Sequence, residues 1–359
     1  MDLEQEYLQA MSLHQAGRLT EAEQIYLEIL GVDPRQVAAQ HFLGVLRYQQ
    51  GRNEDALGLI GAALEANPNS AEVQSNYGLV LRAVGKLEEA LACFDKAIRI
   101  KPVYIEAWNN RGDVLSALGR FIEALDSFDR ALVMKSDAVN LLHNRATVLR
   151  RLYRFQEAAE CYEKALRIQP TYFSALYGYG GTLRELSRFD EALAYYDKAL
   201  ALNPNLAELH YSRGLTLGDL GRLDEALSSY DRALAIKPRM AQAWNNRGIV
   251  AAKLGNHDES LANCNRAITL NPDFVEALYN RGNILSKQGR FEDALKSYGE
   301  ALSLKPDHVK ALNSRGELLR QLGRHGEANA SFDRARAIDP NVIPQKVGVK
   351  ARDYRLSEP

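Results

Sequence analysis

Residues 105–138 read IEAWNNRGDVLSALGRFIEALDSFDRALVMKSDA, and this 34-residue unit recurs along the chain. Its period is marked by nine of the eleven prolines, which stand 34 residues apart, or 68 apart where Ser136 replaces one. With the proline at position 32, ten repeats begin at residues 3, 37, 71, 105, 139, 173, 207, 241, 275 and 309. The sequence is therefore a tandem array of one short module.

Two glycine columns divide each repeat. Position 15 holds glycine in eight repeats, between two stretches of helical apolar spacing, and supplies the backbone freedom that ends one helix. Position 8 also holds glycine in eight repeats, inside the first helix, where glycine costs about 1 kcal/mol relative to alanine. Position 24 of the second helix carries Tyr or Phe in eight repeats, so we expect this ring to pack closely on the position-8 glycine. Each repeat is predicted to be a helical hairpin.

The repeat resembles the tetratricopeptide repeat (TPR). In the fourth copy the residues that carry the resemblance are Trp108, Gly112, Leu115, Ala124, Phe128, Ala131 and the preceding Pro102. The resemblance implies an all-α fold, a right-handed α-solenoid superhelix of stacked helical hairpins whose first helices line a concave groove. We expect one solenoid over residues 1–342, with polar end faces typical of a complete array, and a short C-terminal tail over residues 343–359.

Composition and motifs argue against several classes of protein. The net charge of −1 over 359 residues does not suit a nucleic-acid-binding protein, which needs many cations to neutralise phosphates. No apolar stretch reaches the 18 or so residues that span a bilayer, and no secretory signal is evident, so the expected location is cytoplasmic. The three cysteines are far apart and no histidines form an i, i+4 pair, so no metal and no cofactor are expected. No set of converging groups suggests catalysis, and we expect no enzyme activity.

Asparagine recurs on the face of the first helix that is opposite the packing residues. It is a poorer helix former than Glu, Lys or Gln, so an exposed helical column of it calls for an explanation. A carboxamide has donors and an acceptor that match the N–H and C=O of an extended peptide, and the column predicts peptide binding. The alternative is that a harmless asparagine was copied with the repeats. The column occupies positions 5 and 6 and comprises Asn76, Asn109, Asn110, Asn144, Asn245, Asn246, Asn280 and Asn313.

Aromatic and charged residues accompany the asparagines. Tyr177 and Tyr211 occupy position 5, and Arg150, Arg151 and Arg184 occupy positions 12 and 13. Glutamates occupy position 2 at the other end of the same helices, at Glu72, Glu106, Glu208 and Glu276. The groove is thus predicted to have an acidic edge and a locally basic edge, which suits a ligand of mixed charge.

Two further expectations concern packing. Some of the position-7 arginines should pair with position-25 aspartates of the preceding repeat, as Arg111 with Asp95 and Arg247 with Asp231. Departures from the pattern at Ser136, Ala146 and Tyr153 suggest altered stacking between repeats 4 and 5, or neutral drift.

The function that these residues favour is a protein-interaction scaffold that binds an extended peptide segment of a partner protein in its groove. One alternative comes from a second resemblance: an asparagine ladder in a long TPR array looks like the substrate-recognition region of O-linked N-acetylglucosamine transferases and their SPINDLY-like relatives. Another alternative is a self-associating array, and hence a homo-oligomer.

Overall fold

The computed structural model describes residues 3–339, and within them it contains twenty α-helices and no strand. The all-α fold expected from the sequence is confirmed. The predicted tail, residues 343–359, lies outside the described residues.

The helices follow one another in packed pairs, and the first helix of every pair begins at position 1 of a repeat. The protein divides into two compact bodies, Met1–Gly178 and Tyr179–Pro359, which we call the N-terminal and C-terminal bodies. Helices up to α10 belong to the N-terminal body: α1 Leu3–Gln15, α2 Leu19–Val32, α3 Val37–Gln49, α4 Asn53–Ala66, α5 Ala71–Ala83, α6 Leu87–Ile100, α7 Ile105–Ala117, α8 Phe121–Met134, α9 Val139–Arg151 and α10 Phe155–Ile168. The division falls within α11 (Phe173–Glu185). The helices of the C-terminal body that follow are α12 Phe189–Leu202, α13 Ala207–Asp219, α14 Leu223–Ile236, α15 Ala241–Lys253, α16 His257–Leu270, α17 Val275–Lys287, α18 Phe291–Leu304, α19 Val309–Gln321 and α20 His325–Ile338.

The turn between the two helices of a repeat requires a left-handed residue at position 15. All eight glycines at this position have positive φ, for example Gly85 at 80° and Gly221 at 77°. In repeats 5 and 6 the same conformation is forced on residues that disfavour it, at Tyr153 (φ 58°) and Ser187 (φ 57°). The backbone therefore keeps the turn geometry even where the sequence does not suit it.

Seven of the eight position-8 glycines make room for a large residue at position 24, and the eighth, Gly248, faces the smaller Cys264. A Cβ added at Gly112 would lie 2.6 Å from the ring of Phe128, and one added at Gly180 would lie 2.6 Å from that of Tyr196. Such a distance is too short for any real contact between carbon atoms. The close approach predicted from the two columns is confirmed.

In repeat 5 the position-24 ring packs against a glycine of the next repeat. Ala146 occupies position 8, and the hydroxyl end of Tyr162 lies instead against Gly178 of the next repeat, 2.6 Å from where a Cβ would stand. Because α8 packs on α9 as the corresponding helices pack elsewhere, the altered contact lies one repeat later than the sequence suggested.

Four of the position-7 arginines pair with an aspartate of the preceding repeat, namely Arg111, Arg145, Arg213 and Arg247. Arg281 instead contacts Ser297 and Glu300 of its own repeat. Arg111 donates from Nε to Oδ1 of Asp95 at 2.7 Å, and Arg247 does the same to Asp231 at 2.6 Å. Arg111 also donates to Oγ of Ser127 at 2.7 Å, so one guanidinium ties α7 to the helices before and after it. The predicted pairs are confirmed.

Candidate functional site

A cavity of about 400 Å³ opens among the first helices of the N-terminal body. Its apolar lining is Leu79, Ile105, Ala138 and Leu141. Its polar lining comprises Ser75, Asn76, Tyr104, Glu106, Asn109, Asn110, Lys135 and Asn140. Three residues of the predicted asparagine column therefore meet here, and we call this site the amide cavity.

Hydrogen bonds behind the cavity join one first helix to the next. Asn76 of α5 donates from Nδ2 to Nε2 of His41 on α3 at 2.8 Å. On the other side, Asn144 of α9 donates from Nδ2 to Oδ1 of Asn109 on α7 at 3.1 Å. Two of the three asparagines are therefore held in place, whereas Asn110 has no hydrogen-bond partner among the described residues.

Asp113 strengthens this network. It accepts from Nδ2 of Asn144 at 3.0 Å and from Nη1 of Arg82 at 3.3 Å. Burial raises the pKa of the Asp113 carboxyl, and the charge of Arg82 opposes that shift only in part. The carboxylate thus depends on its two partners, and all three residues sit on the same row of first helices.

The rim of the cavity carries one charge of each sign. Lys135 and Asn140 are exposed, and Lys135 has no ion pair in the described part of the protein. Glu106, in the first turn of α7, is also exposed. Tyr104 is bonded to Ser75, and burial raises the pKa of its phenol, so that group is a neutral donor and acceptor.

The asparagines of the C-terminal body are not exposed, which corrects the sequence-based expectation. Asn245 and Asn246 are 0% exposed and Asn280 is 5% exposed. Asn280 donates to Oδ1 of Asn245 at 3.0 Å, and Asn246 donates to the hydroxyl of Tyr211 at 2.9 Å. Tyr211, which is only 2% exposed, was likewise expected on an open wall. Hydrogen bonds between adjacent repeats compensate these polar groups for the loss of contact with water.

The predicted charged edges are partly neutralised. Arg184 donates from Nε to Oδ2 of Asp219 at 2.9 Å, and Lys237 lies 2.8 Å from Glu208. Arg151 is exposed and Arg150 is half-buried. The locally basic edge expected from the sequence is therefore partly neutralised at Arg184.

The two remaining predicted residues lie outside the amide cavity, and several residues that line it were not predicted. Tyr177 and Asn313 are half-buried and do not line the amide cavity. Tyr104 and Lys135 escaped prediction because they lie in the links between helices, outside the first-helix columns. Asn140 occupies position 2, and a break in the glutamate column at that position could have revealed it.

Within residues 3–339, no group of three or more His, Cys, Asp or Glu residues could hold a metal ion. None of the helices described is long and apolar enough to cross a membrane.

Family models described as tetratricopeptide repeat match residues 13–76, 103–171, 136–205, 171–239, 211–273 and 279–343, and one described as TPR repeat matches residues 78–119. A comparison with curated protein sequences found no match.

Several solved structures are similar. YrrB, described as a TPR protein with an unusual peptide-binding site, is 31% identical and aligns with 52% of this protein and 95% of its own length, at a TM-score of 0.45. A TPR protein from Parabacteroides merdae is 22% identical over 70% of this protein and 97% of its own length, at a TM-score of 0.56. PilF of Pseudomonas aeruginosa is 20% identical over 58% of this protein and 94% of its own length, at a TM-score of 0.51. The last two show the fold alone. From the repeat pattern, the paired helices and the matching models together, the protein belongs to the tetratricopeptide repeat family.

Proposed function

We propose that this protein is an interaction scaffold that binds an extended segment of a partner protein along the first helices of the N-terminal body. The observation that carries the proposal is the amide cavity, where Asn76, Asn109 and Asn110 converge. Carboxamides on neighbouring helices suit the alternating N–H and C=O groups of a peptide backbone. The apolar floor and the opposite charges of Glu106 and Lys135 add sites for the partner's own residues.

The C-terminal body is a weaker candidate for backbone recognition. Asn245, Asn246 and Asn280 are buried and bonded to one another or to Tyr211. A ligand would have to break those bonds before it could use the same carboxamides, and a broken buried bond costs the desolvation of both groups. The proposed site is therefore the N-terminal body.

The test is selection from a random dodecapeptide library displayed on phage, followed by affinity measurement with a recovered peptide. Asn110→Ala should weaken binding about fivefold, because a partly exposed hydrogen bond contributes on the order of 1 kcal/mol. Asn313→Ala is the matched control, since Asn313 is a half-buried first-helix asparagine that does not line the amide cavity. Failure to recover any peptide, or equal effects of the two variants, would contradict the proposal.

The cytoplasmic location, the transferase alternative and the self-associating array stay predictions. Sedimentation of the protein over a hundredfold dilution tests the last of them, because an array that binds its own copies dissociates on dilution.

A further inference from the structure

His41 controls how Asn76 is oriented. His41 is 5% exposed on α3, and its Nε2 lies 2.8 Å from Nδ2 of Asn76. An amide NH₂ group only donates, so Nε2 must accept, and His41 is neutral with its proton on Nδ1. The carboxamide of Asn76 is therefore held with Nδ2 toward His41 and Oδ1 turned away from it.

Asn109 is oriented in the opposite sense. Its Oδ1 accepts from Nδ2 of Asn144, which leaves its own Nδ2 turned away from that contact. Asn144 cannot easily reverse, because the same Nδ2 also donates to the carboxylate of Asp113 at 3.0 Å. Asp113 is in turn fixed by Arg82.

We propose that these two contacts give the amide cavity a fixed polarity: Asn76 presents Oδ1 to a backbone N–H of the bound peptide, and Asn109 presents Nδ2 to a backbone C=O. This inference rests on the proposed function and names the atoms that perform it. His41 and Asn144 are positioning residues, since they act through the two asparagines.

Protonation of His41 should undo half of this arrangement. A cationic ring donates from Nε2, so Asn76 must turn its Oδ1 toward His41 and its Nδ2 toward the cavity. The cavity then offers two donors, and the peptide N–H loses its acceptor. Burial lowers the pKa of His41, while the charge of Glu72 on α5 opposes that shift. Within the described residues, α1, α2 and α4 bring no charged group that shifts it further.

The tautomer can be measured without any ligand. The two ring nitrogens of His41 have distinct ¹⁵N chemical shifts, and at pH 7.5 we expect Nδ1 to carry the proton. A proton on Nε2 would overturn the inference, because Asn76 would then turn its Oδ1 toward His41 and its Nδ2 toward the cavity.

The polarity is tested with a dodecapeptide recovered from the library and a set of its single-ester analogues, in which one backbone N–H is replaced by oxygen. One ester should weaken binding to the wild type about fivefold at pH 7.5 and should have no effect on binding to Asn76→Ala. Binding of the parent peptide to the wild type should also weaken by a similar factor once the pH is low enough to protonate His41, whose pKa burial lowers. If every ester affects Asn76→Ala as it affects the wild type, the inference is wrong.

Two variants separate a positioning role from a merely structural one. His41→Gln does not titrate, and its carboxamide can either accept from Asn76 or donate to it. It should therefore bind more weakly than the wild type at pH 7.5 and lose the pH dependence. Asn110→Ala should weaken binding equally at both pH values, since no titrating group orients Asn110. Equal pH dependence in His41→Gln and the wild type would overturn the role of His41 while leaving the proposed function standing. A library that yields no peptide would overturn both.

Discussion

At the scale of single residues, a position-24 ring that packs against position 8 leaves no space for a side chain there, so position 8 requires glycine. Gly112→Ala should lower the free energy of unfolding by about 1–3 kcal/mol, because the new methyl group would overlap the ring of Phe128. Urea denaturation followed by circular dichroism measures this. Gly58→Ala is the control: Gly58 lies in α4 with nothing within 4 Å of its added Cβ, so that variant should be slightly more stable. Equal changes in the two variants would mean that overlap with the ring of Phe128 does not set the cost.

The residue at position 15 is chosen by its backbone conformation. Ser187→Gly should raise the free energy of unfolding by about 1 kcal/mol, because Ser187 has a φ of 57° that serine disfavours. The reverse change at the equivalent position of the next repeat, Gly221→Ser, should lower it by a similar amount. The urea midpoints of the two variants should therefore move in opposite directions, and a shift in the same direction would count against the explanation.

At the scale of helices, one guanidinium holds three of them together. Arg111→Ala should lower stability by about 1–3 kcal/mol, because it leaves Ser127 and Asp95 without their shared donor. Arg167→Ala is the control, since Arg167 meets Glu163 only at 4.0 Å and is 71% exposed. Loss of such a surface pair should change stability by less than about 0.5 kcal/mol. The comparison needs only thermal or urea unfolding of both variants.

The packing of the helices could be predicted from the sequence, and most of the polar wall could not. A contact within the repeat, such as Gly112 with Phe128, appears in the sequence as two columns at a constant spacing. The hydrogen bonds between asparagine side chains on neighbouring first helices join residues that are 35 apart in the sequence. One example joins Asn245 at position 5 of one repeat to Asn280 at position 6 of the following repeat. That offset of one position depends on the rotation between neighbouring repeats, and the residue columns of the sequence give no information about this rotation. Lys135 was missed for another reason: its position holds no single residue type.

At the scale of the whole molecule, buried histidines make stability depend on pH. Burial lowers the pKa values of His41, His143 and His308 below the ordinary value of 6.5. The folded state then binds fewer protons than the unfolded state near pH 6, so stability should be full above pH 7 and should fall as the pH falls through 6.5. Differential scanning calorimetry between pH 7.5 and 5.5 should show a falling melting temperature.

Replacing all three histidines by glutamine should flatten that slope, whereas His325→Gln should not, because His325 is exposed. The arginine-paired carboxylates such as Glu123 have lowered pKa values and should lose their contribution only below pH 4.5. A slope that survives the triple replacement would have to come from other groups.

Tyr162 packs against Gly178 of the following repeat and not against position 8 of its own repeat. This contact limits which repeats can be exchanged by recombination. If another repeat replaced residues 139–172, its position-24 ring would pack against its own position-8 glycine, and no ring would face Gly178. An asparagine at residue 178, the commonest residue at that position in the other repeats, would collide with the hydroxyl of Tyr162. We therefore expect repeats 5 and 6 to be inherited as a pair. Duplications or deletions that separate them should be selected against, while those elsewhere in the array should be tolerated.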